Sequence, residues 1–152
     1  FKVIMEEPKP NLEGQRTRFE FNKVLWTFGT KIEDQVRPHL NELFNCDLQR
    51  SEDIYEKIDF HDPNNKIAVE VKGRRIPSTR YKDTIIPYSK WVESCKLLDE
   101  GWKVFYVFVY TDCAKYVELT GQENWKVKLT GSFGIEHHLI PIDEMEDLKS
   151  YE

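Results

Sequence analysis

Three residues, Asp59, Glu70 and Lys72, have the types and spacing to do chemistry together. In Ile67-Ala68-Val69-Glu70-Val71-Lys72, strand alternation sends Ile67, Val69 and Val71 toward a core and Ala68, Glu70 and Lys72 to the other face. In the preceding strand, read over Ile54 to Phe60, Ile58 and Phe60 share one face and leave Lys57 and Asp59 on the opposite one. Between the two strands, His61-Asp62-Pro63-Asn64-Asn65-Lys66 is a strong turn signal. A loop of Asp62 to Asn65 pairs Asp59 with Ala68, whereas a loop of Asn64-Asn65 pairs Asp59 with Glu70. Either even-length loop puts both carboxylates on one face, with Cα atoms ~4.5–8 Å apart. An odd loop separates them. Carboxylates so close repel unless a cation lies between them. Mg²⁺ suits that place, since it accepts one or two carboxylates plus water and phosphate oxygens; Mn²⁺ is expected to substitute. Lys72 then sets a compact positive charge where negative charge grows on a phosphorane. The plainer explanation is an exposed edge strand on which Glu70-Val71-Lys72 only solvates one face.

The elements that must position these residues follow from periodicity. From Asn22 to Phe44 apolar residues recur at helical spacing (Leu25, Ile32, Val36, Leu40, Leu43), with a break expected at Gly29-Thr30, Thr30 as N-cap of the second piece, and a kink or end at Pro38. A polar loop, Gly73 to Asp83, follows the hairpin. Pro87 to Glu100 reads as a helix ended by Gly101, with Tyr88, Trp91, Val92, Cys95 and Leu98 on one face. Lys103 to Tyr110 is apolar on both faces, as a strand inside a sheet must be. Further strands are expected at Tyr116–Leu119, Trp125–Leu129 and His138–Ile142, with Asp143 capping a short terminal helix. This order predicts an α/β domain with a mixed central sheet flanked by helices.

The chain has 152 residues, 32% charged and 39% hydrophobic. That suits one domain over 1–152, with residues 1–17 as an arm or loop and a core over about 22–142. The longest apolar run, Val104 to Tyr110, falls far short of the ~20 residues that cross a bilayer, so no membrane association is expected. No secretory signal is visible, and the start at Phe1 suits a trimmed N-terminus. Cys46, Cys95 and Cys113 are odd in number and widely spaced, which fits free thiols in a reducing compartment: cytoplasm, nucleus, or a host cell's interior if the source is viral. A net charge of −5 argues against coating nucleic acid by general basicity. Part of the negative charge, however, lies at the ends, in Glu6-Glu7 and the Asp143-to-Glu152 tail, while Arg74, Arg75, Arg80 and Lys82 cluster directly after Lys72, where they fit phosphate contacts. His137 and His138 point to opposite faces of one strand and do not share an ion.

Asp59, ten intervening residues, then Glu70-Val71-Lys72 resembles the PD-(D/E)XK nuclease superfamily, with Ile58 where the motif is usually written with Pro. Gly29-Thr30-Lys31-Ile32-Glu33 is similar to the acidic helix element of that superfamily, notably in archaeal Holliday-junction resolvases. Lys90, in Pro87-Tyr88-Ser89-Lys90-Trp91, matches the extra basic residue many members carry on the following helix. The resemblance covers roughly residues 22 to 110. It implies a restriction-endonuclease-like core and hydrolysis of a phosphodiester bond by metal-activated water. It also implies Asp59 and Glu70 as Mg²⁺ ligands, completed by the Val71 carbonyl and Glu33. DNA is the implied substrate ahead of RNA, and a homodimer the implied assembly where two strands are cut. Glu33 has a second reading, since Thr30-x-x-Glu33 is also a capping box. Two alternatives stand beside the nuclease: a catalytically inactive nucleic-acid- or protein-binding module on the same fold, and a charged α/β domain with no such role.

Overall fold

In the computed structural model the described residues are 1–5, 18–51, 58–130, 134–149 and 151, with side chains of the first helix described from residue 28 onward. The chain runs α1 (Arg18–Phe44), β1 (Gln49–Arg50), β2 (Phe60–Asp62), β3 (Ile67–Gly73), β4 (Asp83–Pro87), α2 (Tyr88–Asp99), β5 (Lys103–Val109), β6 (Ala114–Glu118), β7 (Lys126–Thr130), β8 (Ile135–Pro141), a 3₁₀ turn (Ile142–Glu144) and β9 (Glu146–Asp147). Six strands form one mixed sheet in the order β1-β2-β3-β5-β6-β9, parallel between β3 and β5 and antiparallel elsewhere. The other three, β4-β8-β7, form a second, antiparallel sheet.

Strand β5 neighbours β3, as its two apolar faces require, and Val104 through Tyr110 are all buried. One face packs against α1: Ile32, Val36 and Leu40 meet Val69, Val71, Phe105 and Val107. On the other face Val104, Tyr106 and Phe108 meet Trp91 and Leu97 of α2 and Ile86 and Ile140 of the second sheet. The central sheet is therefore covered on both sides.

Helix α1 is continuous through Gly29, Thr30 and Pro38, so the expected break and the N-cap at Thr30 are wrong. A helical glycine costs only about 1 kcal/mol, and the buried stripe of Ile32, Val36 and Leu40 outweighs it. Pro38 lies exposed within the helix and does not end it. Gly73 has a different task. A Cβ there would stand 2.3 Å from Ile32 Cδ1, so only glycine lets α1 approach the end of β3. Gly101, at φ +87°, takes the left-handed conformation that stops the chain after α2.

The hairpin has Phe60 opposite Val69, His61 opposite Ala68 and Asp62 opposite Ile67. This is the register of the second loop alternative, with Asp59 one step back and level with Glu70. The turn itself is wider, Pro63 to Lys66, because the Asp62 carboxylate accepts the Asn64 and Asn65 amides and the Asn65 side chain, and so belongs to the strand. Among the described residues the strand starts at Phe60, and residues 54–57 of that expectation lie outside them. Ile58 and Phe60 do not share a face: the chain bends before Phe60, and Ile58 joins the α2-side core while Phe60 joins the α1 side.

Strand β4 falls between the expected loop and α2, and with β7 and β8 it makes the second sheet, which periodicity did not foresee. Asp143 is inside the 3₁₀ turn, whose N-cap position is Pro141, so it is not a cap. Of the expected N-terminal arm, residues 1–5 are described. They have no regular structure, yet Val3 is buried and the Ile4 backbone makes two hydrogen bonds to the Gln35 amide, while 6–17 lie outside the described residues.

Candidate active site

Glu70 is the centre of the constellation. Its place on β3 turns it toward α2, where it is 1% exposed. Lys90, in the first turn of α2, puts Nζ 3.2 Å from Glu70 Oε2. Lys72, two residues on and on the same face, puts Nζ 3.6 Å from Glu70 Oε1. That distance is an ion pair but not a hydrogen bond, and Glu70 Oε1 is buried with no hydrogen-bond donor among the described residues.

Asp59 stands where the β2–β3 ladder stops. Its Oδ2 accepts the Val71 amide at 2.9 Å. The N–H and C=O of one strand residue leave by the same edge, so the Val71 carbonyl is turned toward the Asp59 side as well. The Asp59 carboxyl also lies within hydrogen-bonding reach of both Glu70 and Glu33. Glu33 comes from α1, on the far face of the sheet, and is held by Arg50 of β1, whose other guanidine nitrogen is 2.8 Å from Asp34. The capping-box role for Glu33 falls with the continuous helix. Its local task is this ion pair.

Asp59 thus stands between two other carboxyls, Glu70 and Glu33, and the ionisation of those two shows the strain. Burial, and then the neighbouring Asp59, push Glu70 up to about 8 despite both lysines. Burial and Asp59 likewise push Glu33 up to about 7 against the pull of Arg50. Glu70 and Glu33 are therefore both harder to ionise than ordinary carboxyls. A hard divalent cation fits these donors: oxygen ligands only, a buried Glu70 oxygen without a donor, and an unfavourable negative charge to neutralise. Among the described residues no group of three or more His, Cys, Asp or Glu side chains forms a ready-made metal cage. Mg²⁺ does not need one, since one or two carboxylates suffice alongside water and substrate oxygens.

Five of the site residues expected from sequence, Glu33, Asp59, Glu70, Lys72 and Lys90, are thus brought together. The basic loop is not a single surface. Arg75, Arg80 and Lys82 are exposed, Arg75 over the Phe28 ring at 4.6 Å and Arg80 over Tyr81 at 5.6 Å. Arg74 turns inward instead, bonding Thr84 and the Ile85 carbonyl. His138 is buried among Tyr88, Trp91 and Trp125, far more enclosed than His137. The three cysteines are half-buried free thiols. No described helix is long and apolar enough to cross a membrane.

Sequence reasoning missed Arg50, whose two-residue strand leaves no periodicity to read. It also missed Ser94 and Tyr106. The Ser94 hydroxyl donates to the Lys90 carbonyl at 2.7 Å and lies 2.8 Å from Tyr106 Oη on β5, which ties the first turn of α2 to the central sheet.

Residues 28–134 match the model of a family described as "Phage putative PDDEXK endonuclease". No curated protein and no solved structure matches the chain.

Proposed function

The chain belongs to that PD-(D/E)XK endonuclease family, its mixed sheet with flanking helices is a restriction-endonuclease-like core, and on that premise we propose that it is a Mg²⁺-dependent nuclease that hydrolyses phosphodiester bonds, in DNA ahead of RNA. The observation that carries the reading is the buried Glu70 carboxylate. It lies between Lys72 and Lys90 and against Asp59, with one oxygen lacking a donor among the described residues.

Asp59, Glu70 and the Val71 carbonyl would hold the ion, with Glu33 beside them. When bound, Mg²⁺ supplies Lewis acidity toward a phosphate oxygen and makes water a better nucleophile near neutral pH. The protein's own groups do the rest. The Val71 amide fixes the Asp59 carboxylate. Lys72 and Lys90 both favour the ionised form of Glu70, against its burial. Lys72, a third exposed, keeps an ammonium at the mouth of the site, where it can stabilise negative charge on the reacting phosphate. Arg75, Arg80 and Lys82 then serve as sequence-independent phosphate contacts along the approach.

Incubation of the wild type with duplex, single-stranded and branched DNA, with Mg²⁺ or EDTA, tests this. Cleavage with Mg²⁺ alone is expected. Lys72→Ala should lose about 10²–10³ in rate, the usual effect of removing one charged transition-state donor, while DNA affinity changes little. Failure of the wild type to cut any of these substrates, with DNA still bound, would favour the inactive binding module.

A further inference from the structure

Strand alternation carries past Lys72 to Arg74, just beyond the end of β3 and on the same face as Glu70 and Lys72. The Arg74 amide donates to the Val109 carbonyl at 2.7 Å and continues the β3–β5 pairing. Its guanidinium is held by neutral groups only: Nε donates to Thr84 Oγ1 at 3.1 Å, Nη2 donates to the Ile85 carbonyl at 2.7 Å, and Cζ lies 5.7 Å over the Phe108 ring. Among the described residues it has no carboxylate within ion-pair distance. Arginine carries five N–H donors, so most of the fork remains available.

This cation forms one wall of a cavity of about 280 Å³. The other walls are mainly apolar, with Ile76, Tyr110 and Ile142, and the rim carries Tyr81 and Asp83. Tyr110 Oη, buried beside Thr84 and Arg74, makes no hydrogen bond of ordinary geometry among the described residues. Tyr81 is 60% exposed. A cation with spare donors, apolar walls and an exposed ring at the mouth suit a flat group with acceptors on its edge. A bare phosphate gains nothing from such walls. A nucleobase uses all of them.

We propose that this cavity takes one unstacked base of the nucleic-acid strand, stacked on Tyr81 and read by Arg74, and so sets which nucleotide lies near the cut. The proposal rests on the nuclease reading above only in that the strand must also reach Glu70. Four steps of strand rise separate Glu70 from Arg74, about 13 Å, so the captured base belongs to a nucleotide beside the scissile phosphate. Arg74 favours guanine, whose O6 and N7 accept a guanidinium fork, and Asp83 on the rim offers an acceptor for amino groups.

The test is fluorescence anisotropy at low salt in EDTA, with short thymine single strands carrying one central guanine, adenine, cytosine or abasic residue. Wild-type protein should bind the guanine strand roughly tenfold more tightly than the abasic one, about the size of one base–aromatic stack. Tyr81→Ala, at an exposed position, should remove most of that difference, and Arg74→Gln should remove the preference for guanine over the other bases. Equal affinity for base and abasic strands, or a difference that survives both substitutions, overturns the pocket. If Mg²⁺-dependent cleavage persists in that case, only the pocket has failed. Base-dependent binding without any cleavage leaves the pocket standing and overturns the nuclease. Loss of both binding and cleavage in the wild type overturns both.

Discussion

Lys90 Nζ lies 3.2 Å from Glu70 Oε2, although twenty residues and the whole of the basic loop separate them in the chain. The pairing joins the first turn of a helix to the most enclosed carboxylate of the central sheet, and it has a consequence for ionisation. Replacing the ammonium with a neutral side chain leaves burial and Asp59 unopposed on that side. Lys90→Met should therefore weaken Mg²⁺-dependent cleavage at pH 7 and restore it at higher pH, since Glu70 then needs more alkaline conditions to ionise. Cleavage rates across pH for both proteins check this. An unchanged profile would mean that Lys90 does not set the charge state of Glu70.

A second prediction concerns the metal-free protein. Glu70 and Glu33 are pushed up to about 8 and about 7, from an ordinary 4.5. Between those limits the folded state binds protons that the unfolded state does not, so stability falls as pH rises. In EDTA, urea midpoints should therefore be highest near pH 5 and decline toward pH 8, by at most about 1.4 kcal/mol per pH unit for each group. Added Mg²⁺ should flatten the decline by replacing the proton. A midpoint that rises over this window in EDTA contradicts the carboxyl cluster.

The third separates Glu33 as a metal neighbour from Glu33 as a structural partner of Arg50. Glu33→Gln keeps a hydrogen-bonding side chain and removes a charge next to Asp59. Stability should change by less than about 1 kcal/mol, as for other partly exposed ion pairs, while cleavage falls about tenfold or more. Full activity in this variant would confine Glu33 to holding Arg50.

The shared face of Glu70 and Lys72 was legible in sequence because it depends on the local period of β3. Asp59 lies just outside β2, beyond a bend that alternation does not show, and it is the observed register that sets it level with Glu70. The two-sided burial of Val104 to Tyr110 was legible for a similar reason, as it needs no partner to be identified. Other features are tertiary. Gly29 and Thr30 carry the local signature of a helix boundary, and only the buried stripe at Ile32, Val36 and Leu40 overrides it. Strand β4 alternates in burial, with Thr84 and Ile86 in, but Ile85 is as apolar as Ile86 and the alternation does not show in residue type. The inward turn of Arg74 and the grip of Arg50 on Glu33 depend on elements distant in sequence, so a run of basic residues looked like one surface and is two.

Gly73 supplies a fourth prediction. Its hydrogen fills the place where a Cβ would meet Ile32 Cδ1 at 2.3 Å. Gly73→Ala should cost about 1–3 kcal/mol, as overpacking in a closed core does. Ile32→Val in the same protein should recover part of the loss, because it removes the clashing methyl. Equal and additive losses, measured by urea denaturation of the three variants, would mean that the two residues do not compete for this space.

If the Asp59–Glu70 pair holds the divalent ion of a nuclease, the Mg²⁺ dependence of DNA cleavage must differ between the wild type and Glu70→Gln. The amide matches the carboxylate in shape and should leave the metal-free fold intact. Saturable Mg²⁺-dependent cleavage by the wild type, with little or none by Glu70→Gln at any Mg²⁺ concentration, is the predicted result. Equal cleavage and equal Mg²⁺ dependence in the two proteins would contradict it.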